Sequence, residues 1–412
     1  MGPAGRLSIL YVGALPPARH GVAVMCGQLL EGLAAVGHRV RAVTPVAVAV
    51  KGPSQRDQFM AALQGVEVIG LPVGEVAQDH WFASDGYRAL VGDGLQRIVD
   101  AQVAVERPDI IVVGSTSMAE HLPRLAAPHA LPSIVILHND VDAMLKAALP
   151  GGPQQSQRVL AGFQHADRLV AVAPHVGESA RGLGLERVLV IGNPVDVHRF
   201  APRPKDRDLM DKLGIEPDAL VVAHVSKLNP LKRPLDVVLA AERALAVEPR
   251  VLVLILGDGP LGKQMGEAAT ERGIGSRFRF AGWLDHAAIP RHLSLADVVL
   301  MPGEFEGRSL VYLETQACGR VLLASDIPSA REVIVDGKTG VLFRTGDVAN
   351  LAARLLEILG DAQLRETIGR QARRVAERYA LEDVVAAYEA LFRDIISRRR
   401  PEAGAMATHH AS

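Results

Sequence analysis

Cysteine is scarce in this chain of 412 residues, in which only Cys26 and Cys318 occur. Each lies in an apolar segment with helical spacing. Folds that depend on disulfides usually carry several cysteine pairs and occur in oxidising compartments. We therefore predict two buried, reduced thiols in a cytoplasmic protein rather than a disulfide.

Long apolar runs and an excess of one charge are also missing. No stretch approaches the roughly 18 to 20 apolar residues that span a bilayer, and the N-terminus lacks the pattern of a secretory signal. Lysine and arginine (45) nearly balance aspartate and glutamate (46), which gives a formal net charge of −1. The sequence predicts neither a membrane span nor a nucleic-acid partner.

What the chain does contain is a long alternation of strand-like and helix-like segments. With 49% hydrophobic and 22% charged residues it has the composition of a globular protein, and its length favours two domains over one core. Most of the short apolar runs lack polar alternation, which is typical of parallel strands covered on both faces. The predicted strands are residues 7–12, 40–44, 66–71, 110–113, 134–138, 169–172, 188–191, 220–225, 251–256, 278–281, 298–301, 321–324 and 341–343.

Repeated strand–helix–strand units predict an α/β protein with two doubly wound parallel sheets, each in a Rossmann-like domain. Prolines and charges in residues 200–217 indicate a linker, so we assign domains to residues 1–200 and 201–380. An amphipathic helix at 381–398 is expected to pack back toward the N-terminal domain, and residues 399–412 to be a disordered tail. Parallel sheets bind ligands beyond the carboxyl ends of their strands, which predicts a cleft between the facing domains.

The most informative motif runs from Glu304 to Gly319. Glu306 lies in the loop after a predicted strand, Ser309 or Leu310 opens the next helix, and Glu314 follows about one turn later. Unpaired amides at a helix N-terminus suit a diphosphate, and Glu314 could accept hydrogen bonds from a ribose diol. A capped surface helix with a solvated Glu306 explains the same residues equally well.

Two lysines follow the first strand of the second domain. Lys227 and Lys232 lie in one loop at a strand end. Two ammonium groups there could clamp a phosphate and neutralise a leaving diphosphate. Loop lysines that face water are the structural alternative.

Taken in order, these motifs resemble the family 4 glycosyltransferases, whose two-domain fold is called GT-B. Glu306 and Glu314 are similar to the paired glutamates of that family, and residues 225–232 resemble its cationic loop. Residues 191–200 resemble the segment that ends its first domain. The opening residues 9–13 and 37–40, with Gly21, resemble its first βα unit. The resemblance covers residues 7–396.

The resemblance implies a nucleoside-diphosphate sugar as donor, a hydroxyl acceptor and front-face transfer with retention, without a metal or other cofactor. It implies His138, Glu306 and Lys232 as catalytic residues, where a structural role remains the alternative for His138. Binding roles fall on Lys227, Lys232, Gly21, Ser309 and Leu310 for the diphosphate, Glu314 for the ribose, Glu306, Gly307 and Arg308 for the donor sugar, and Gly257, Gly259 and Trp283 for the nucleotide.

Three departures from the family pattern limit what can be carried over. Lysine stands at 227 where the family often has arginine, Gly307-Arg308-Ser309 replaces a Gly-Phe-Gly, and His20-Gly21 replaces a double glycine. The donor sugar and acceptor therefore stay open, and UDP is expected only as the commonest nucleotide. A lipid-linked acceptor would need peripheral contact with the inner membrane face, for which Arg393 and residues 398–400 offer positive charge. A solvated helix end explains those arginines as well.

Other functions compete with this one. Gly257 to Gly262 formally matches a dinucleotide fingerprint, but it follows a later strand of its domain and the next strand ends without an acid. The two glutamates do not read as a glycosidase pair, because they are expected to grip different parts of one donor. A nucleotide-sugar epimerase of the same fold and a non-catalytic nucleotide-sugar-binding protein remain alternatives.

Overall fold

The chain is described by a computed structural model that covers residues 5–16, 21–47, 63–73, 85–146 and 152–399. It divides into two compact units. Unit 1 consists of Met1–Gly192 and Glu382–Ser412, and unit 2 consists of Asn193–Leu381.

Unit 1 is built on a seven-stranded sheet in which every neighbouring pair is parallel, in the order β3-β2-β1-β4-β5-β6-β7. Its strands are β1 (Ser8–Val12), β2 (Arg39–Ala47), β3 (Val66–Val73), β4 (Ile110–Val113), β5 (Ser133–Leu137), β6 (Arg168–Ala171) and β7 (Val188–Val190). Its first helices are α1 (Gly21–Ala35), α2 (Asp85–Val105), α3 (Leu122–Ala126), α4 (Val141–Lys146), α5 (Gly152–His165) and α6 (Pro174–Gly182).

Unit 2 repeats this plan with a six-stranded parallel sheet in the order β10-β9-β8-β11-β12-β13. Its strands are β8 (Leu220–Val225), β9 (Val251–Leu256), β10 (Phe278–Gly282), β11 (Val298–Met301), β12 (Val321–Ser325) and β13 (Val341–Phe343). Its helices are α7 (Arg207–Leu213), α8 (Pro234–Leu245), α9 (Gly262–Glu271), α10 (Ile289–Leu293), α11 (Leu310–Ala317), α12 (Pro328–Arg331), α13 (Val348–Gly360) and α14 (Ala362–Ala376).

The strands lack polar alternation because both faces of each sheet are covered. In β8, Val221 and Ala223 belong to the core on one face, while Leu220 and Val222 belong to the core on the other. Each predicted strand is present, and the largest difference is in β2, which continues to Ala47 instead of ending at residue 44. Exposure rises at the edge strand β7, whose last two residues are 42% and 39% exposed.

The segment predicted as a linker belongs to the second unit. Unit 2 begins at Asn193 rather than at residue 201. Phe200, Met210 and Ile215 are buried in its core, and Asp206 caps α7 by accepting from the amide of Leu209 at 2.9 Å. The prolines and charges that suggested a linker lie on the outside of a segment whose apolar residues point inward.

The two ends of unit 2 are hydrogen-bonded to each other. The Val195 amide donates to the carbonyl of Tyr379 at 2.8 Å, and the Leu381 amide donates to the carbonyl of Val195 at 3.0 Å. From there the chain enters its last helix, α15 (Leu381–Arg399). The chain segments that enter and leave unit 2 therefore run side by side.

Helix α15 belongs to unit 1 from Glu382 onward. The face predicted to be apolar is buried, and it consists of Val384, Val385, Tyr388, Leu391, Phe392 and Ile395. Polar contacts fix its outer edge: Glu389 lies 3.6 Å from His38 Nε2, and Arg399 pairs with Asp167 at 2.8 Å. The predicted tail after Arg399 lies outside the described residues.

Both cysteines are free and buried, as predicted. Burial raises the pKa of Cys26 and of Cys318 to about 12. Thiols with such a pKa carry almost no thiolate at neutral pH, so they are poor nucleophiles. Among the described helices, none is long and apolar enough to cross a bilayer.

Candidate functional site

Most of the predicted site residues follow the carboxyl ends of four neighbouring strands of unit 2. Lys227 and Lys232 follow β8, Gly257 and Gly259 follow β9, Trp283 follows β10, and the residues from Glu306 to Leu310 follow β11. Because neighbouring strands are parallel, these loops emerge at one edge of the sheet, where open α/β sheets bind their ligands.

Lys232 and Glu306 form an ion pair at this edge. The lysine ammonium contacts Oε1 of the glutamate, and their side chains are 22% and 10% exposed. Glu306 is therefore paired and largely covered, which argues against the alternative of a solvated loop glutamate. The pair joins the loop after β8 to the loop after β11.

The local backbone explains why Lys232 points this way. Residues Pro230–Lys232 form one turn, which Asn229 caps by accepting from the Lys232 amide at 3.2 Å. Arg233 then takes a left-handed conformation with φ 49°, which is uncommon for a residue other than glycine, and is the N-cap of α8. Its guanidinium contacts Asp236 at 2.7 Å and Glu304 at 3.3 Å. These charged contacts hold the strained turn in place.

Glu314 lies in the second turn of α11 and is only 4% exposed. His286 places Nε2 2.6 Å from its Oε1. The imidazole ring in turn lies 5.3 Å from the ring of Phe200, centroid to centroid. A buried carboxylate needs partners, and here one oxygen has a ring N–H donor while its remaining lone pairs can accept further hydrogen bonds.

His224, in the middle of this edge, is fully buried within β8. Its Nδ1 lies 2.9 Å from the carbonyl of Leu300, and its Nε2 lies 2.7 Å from the hydroxyl of Ser226. Nδ1 therefore carries the proton and Nε2 accepts. Burial, together with the charge of Lys232, lowers the pKa of His224 to about 4, although its bond to Leu300 opposes the shift. This neutral histidine ties β8 to β11 beneath the Lys232–Glu306 pair.

The two glycines of the formal dinucleotide fingerprint serve close contacts within the protein. A Cβ on Gly257 would lie 1.9 Å from the carbonyl oxygen of Ser226, and one on Gly259 would lie 2.6 Å from that of Leu228. The Leu228 amide donates to the carbonyl of Asp258 at 2.9 Å. The loops after β8 and β9 are thus packed backbone to backbone, which only glycine permits.

The side chain of Arg308, predicted to contact the donor sugar, lies in the interior of unit 2. Its side chain is 3% exposed, donates to Glu332 at 3.0 Å and lies 4.7 Å above the ring of Tyr379. Its carbonyl accepts from the side-chain amide of Asn193 at 2.8 Å. The guanidinium thus contacts Glu332 and Tyr379, while its Nε is buried without a hydrogen-bond partner among the described residues.

The start of α11 follows directly from this anchored segment. Ser309 is its N-cap, with extended backbone angles of φ −66° and ψ 125°, and Leu310 is its first residue. Gly307 is buried beside them. By contrast, Lys227 is exposed and Trp283 is 37% exposed.

In unit 1 the predicted residues also follow strand ends. His138 comes directly after β5, is 6% exposed, and places Nε2 3.1 Å from the carbonyl of Gly114 and 3.9 Å from the sulfur of Cys26. Gly114 must be glycine, since a Cβ there would lie 2.1 Å from the ring of Tyr11. Gly21 is the first residue of α1 and is exposed, and a Cβ at this position would meet no atom of the described residues within 4 Å.

Three residues of the unit 2 site escaped sequence reasoning. His286, His224 and Tyr312 lie within segments whose pattern predicts loop, strand core or apolar helix face. The Tyr312 hydroxyl is buried with no hydrogen-bond partner among the described residues, and burial, then the charge of Glu306, raise its pKa well above the ordinary value. The one available signal was His286, a polar residue three positions after Trp283 at a strand end.

The described residues contain no group of three or more histidine, cysteine, aspartate or glutamate side chains that could hold a metal ion.

Two family comparisons cover most of the chain. Residues 205–375 match the family Glycosyl transferases group 1, and residues 20–194 match the Glycosyl transferase 4-like domain. The first match covers most of unit 2, including its Lys232, Glu306 and Glu314, and the second covers most of unit 1.

Among similar proteins is the D-inositol 3-phosphate glycosyltransferase of Geodermatophilus obscurus. It is 32% identical over 285 residues, which is 63% of this chain and 62% of that protein. The N-acetyl-alpha-D-glucosaminyl L-malate synthase of Bacillus anthracis is 31% identical over 189 residues, which is 46% of this chain and 49% of that protein. The chain thus spans less than two thirds of the length of either relative.

Solved structures match over almost the whole chain. Anabaena HepE in complex with UDP has a TM-score of 0.73 and 19% identity over 94% of this chain and all of that one. The sucrose-phosphate synthase of Thermosynechococcus elongatus has a TM-score of 0.77 and 19% identity over 95% of this chain and 100% of its own. At such low sequence identity, the structural similarity shows the fold alone. It confirms the predicted GT-B class with two Rossmann-like domains.

Proposed function

We propose that this chain, which matches the Glycosyl transferase 4-like domain in one part and Glycosyl transferases group 1 in the other, is a retaining family 4 glycosyltransferase. It moves a hexosyl group from a nucleoside-diphosphate sugar to a hydroxyl acceptor. The donor nucleotide is UDP, a choice supported by the UDP bound to the similar HepE structure. The nucleotide sugar is a co-substrate, and the reaction uses no metal or other cofactor.

The observation that carries this proposal is the grouping of Lys232, Glu306 and Glu314 on one unit, at the carboxyl edge of its sheet. Lys232 and Glu306 neutralise each other before the donor binds. A donor diphosphate would draw the ammonium of Lys232 to its oxygens, and Glu306 would then accept hydrogen bonds from the sugar hydroxyls. Lysine would finally balance the charge that develops on the leaving diphosphate.

The other donor contacts follow from the same edge. Glu314 accepts from the ribose diol while His286 holds its Oε1. The amides of Ser309 and Leu310, at the start of α11, receive the phosphates together with Lys227. The loop containing Gly257 and Gly259, with Trp283, receives the base. Gly307 and the main chain of Arg308 border the sugar.

We assign acceptor binding to unit 1, with His138 and the main chain of Gly21 as the groups that serve it. The acceptor oxygen bonds to the anomeric carbon on the face from which the diphosphate departs, and that diphosphate takes the acceptor proton. The relatives are named for inositol 3-phosphate and malate, which favours a small hydroxyl compound over a lipid-linked acceptor. A cytoplasmic location suits the two reduced thiols.

The first test is calorimetric binding of UDP, GDP, ADP, TDP and NAD⁺ to the wild-type protein, Glu314→Ala and the exposed control Glu271→Ala. We expect one nucleoside diphosphate to bind wild type and the control equally. Loss of hydrogen bonds to a charged group costs about 1.5–3 kcal/mol, so Glu314→Ala should weaken binding roughly tenfold or more. Binding of NAD⁺ alone, or of no nucleotide, contradicts the proposal.

Turnover separates a transferase from the other enzymes of this fold. With a UDP-sugar and candidate hydroxyl acceptors, wild type should release UDP and form a glycoside of retained configuration. Glu306→Ala should bind UDP normally and transfer at least about a hundredfold more slowly, as for the loss of an electrostatic group at a reacting centre. A sugar nucleotide that changes configuration without an acceptor would identify an epimerase, and wild-type transfer by Glu306→Ala would remove that residue from the site.

A further inference from the structure

A cavity lies in unit 2, away from the site described above. It has a volume of about 550 Å³, and five arginines line it: Arg320, Arg365, Arg370, Arg373 and Arg374. We call it the arginine pocket. Asp297 and Arg320 directly precede β11 and β12, so the pocket lies at the amino ends of strands whose carboxyl ends bear the donor site. The five-residue strand β12 separates the two edges by about 16 Å.

The acidic residues of the arginine pocket are already neutralised. Its lining contains Asp297, Glu366 and Glu377 beside the five arginines. Lys205, which is not part of the lining, forms an ion pair with Asp297. Glu366 and Glu377 pair with Arg370 and Arg373, each at 2.9 Å. Three arginines therefore remain without a carboxylate partner among the described residues of unit 2.

Arg320 is the most constrained of those three. Its Nε is buried and has no hydrogen-bond partner in the described part of the chain, although its NH2 group donates to the carbonyl of Arg203. Burial lowers the pKa of its guanidinium, and Asp297 only partly opposes this shift. A buried charged donor without an acceptor costs free energy that an anion would return.

Arg374 and Arg365 complete the set. Arg374 lies on α14, is exposed, and has no hydrogen-bond or ion-pair partner within residues 193–381. Arg365 donates to the carbonyls of Ile358 and Leu359 at 2.8 and 2.7 Å. Arg373 already donates to three carbonyls, including that of Ala317 at 2.8 Å. Arg373 therefore closes the end of α11. Of the three arginines without a carboxylate partner, Arg320 and Arg374 make the fewest hydrogen bonds within residues 193–381.

We propose that the arginine pocket binds a small phosphorylated metabolite. Guanidinium groups match the geometry of phosphate oxygens and bind them in a bidentate manner. The cavity volume falls within the roughly 300–1,000 Å³ of small-molecule sites, and the three carboxylates inside it disfavour a long polyanion. The proposal does not depend on the nature of the proposed transfer reaction.

The test uses calorimetry on the full chain with UDP at saturation, so that added phosphate cannot enter the donor site. If UDP does not bind, the double variant Lys227→Ala/Lys232→Ala replaces that block. The probes are inorganic phosphate and glucose 6-phosphate, with glucose and acetate as controls for the sugar and for a simple anion. The variants are Arg374→Ala, Arg320→Met and, as a matched exposed arginine of unit 2, Arg344→Ala.

We expect saturable binding of glucose 6-phosphate to wild type and Arg344→Ala, with an affinity about tenfold lower in Arg374→Ala. Arg320→Met should show the same loss, and Arg374→Ala keeps the test valid if that buried substitution impairs folding. Stronger binding of inorganic phosphate than of glucose 6-phosphate would identify a free-anion site within the same proposal. No saturable binding, equal binding of acetate, or binding that survives Arg374→Ala would overturn it.

Discussion

At the scale of single residues, the site depends on charged groups that satisfy one another within unit 2. Glu314 is held by His286, and Glu306 by Lys232. Neither glutamate is left as an unpaired buried charge, so the site is stable without a ligand. A ligand has to add to or exchange these contacts rather than meet bare carboxylates.

His286 should control how well the site recognises a ribose. Replacing it with alanine removes the donor to Glu314 Oε1, so the carboxylate loses its fixed orientation. We expect UDP affinity to fall about tenfold and 2′-deoxy-UDP affinity to fall less, with little change in kcat at saturation. Calorimetry with both nucleotides measures the ratio of the affinity for UDP to the affinity for 2′-deoxy-UDP. His286→Gln, which keeps an N–H donor, should recover part of the discrimination, and an unchanged ratio in His286→Ala would refute the role.

The buried His224 should make stability depend on pH. Above pH 6.5 it is neutral in both the folded and unfolded chain and contributes no pH dependence. Below that pH the unfolded chain binds a proton that the folded chain refuses, because the folded pKa is about 4. Stability should therefore fall by about 1.4 kcal/mol per pH unit, roughly 3 kcal/mol in all by pH 4. Urea titrations at several pH values across this range measure the free energy of unfolding. That free energy should change less with pH in His224→Gln than in wild type.

The sequence revealed residue types better than residue partners. Lys232, Glu306 and Glu314 stood out because charged groups that follow strand ends, or lie near a helix start, stand where parallel sheets bind ligands. The pairing of His286 with Glu314 could not be foreseen, because it joins positions 28 apart, one in the turn after β10 and the other on α11. The burial of Arg308 was hidden for the same reason, since Glu332 and Tyr379 come from distant turns.

At the scale of secondary-structure elements, the strands were predictable because both faces of each sheet are buried. A short, uninterrupted apolar run bounded by polar residues then indicates a strand. The linker was misplaced because composition reports exposed prolines and charges but not the inward apolar residues between them, such as Phe200 and Met210. Element ends also depend on neighbours, and β2 continues to Ala47 because β3 pairs with it that far.

The contact between the loops after β8 and β9 should be sensitive to one methyl group. Gly257→Ala would place a Cβ 1.9 Å from the carbonyl oxygen of Ser226, so the loops must separate. We expect a loss of about 1–3 kcal/mol in stability and weaker UDP binding, because Lys227 adjoins Ser226. Gly273→Ala, at a left-handed glycine with no atom nearby, is the control for conformational strain alone. Urea midpoints and UDP affinity should separate the two variants, and equal effects would show that the loop contact is unimportant.

At the scale of the whole molecule, unit 1 depends on helix α15, which follows unit 2 along the chain. Helix α15 buries Tyr388 and Phe392 completely, and each such side chain contributes about 1.5–3 kcal/mol by burial. Truncation after Leu381 should therefore make unit 1 sensitive to proteases and leave unit 2 resistant. Truncation after Arg399 is the control and should change neither unit. Limited proteolysis with mass spectrometry reads out both, and an intact unit 1 without α15 would contradict this assignment.

The division of the chain also sets an order of events during synthesis. Unit 2 is one continuous segment, Asn193–Leu381, whereas unit 1 is assembled from two segments that flank it. A ribosome adds roughly 5–20 residues per second, and it makes α15 only after the whole of unit 2. The unit translated first is therefore completed last, and unit 2 has its full sequence while unit 1 still lacks a helix. When synthesis has just reached Leu381, the nascent chain contains all of unit 2, while the core of unit 1 still lacks helix α15. At this stage a chaperone would find the most exposed apolar surface to bind.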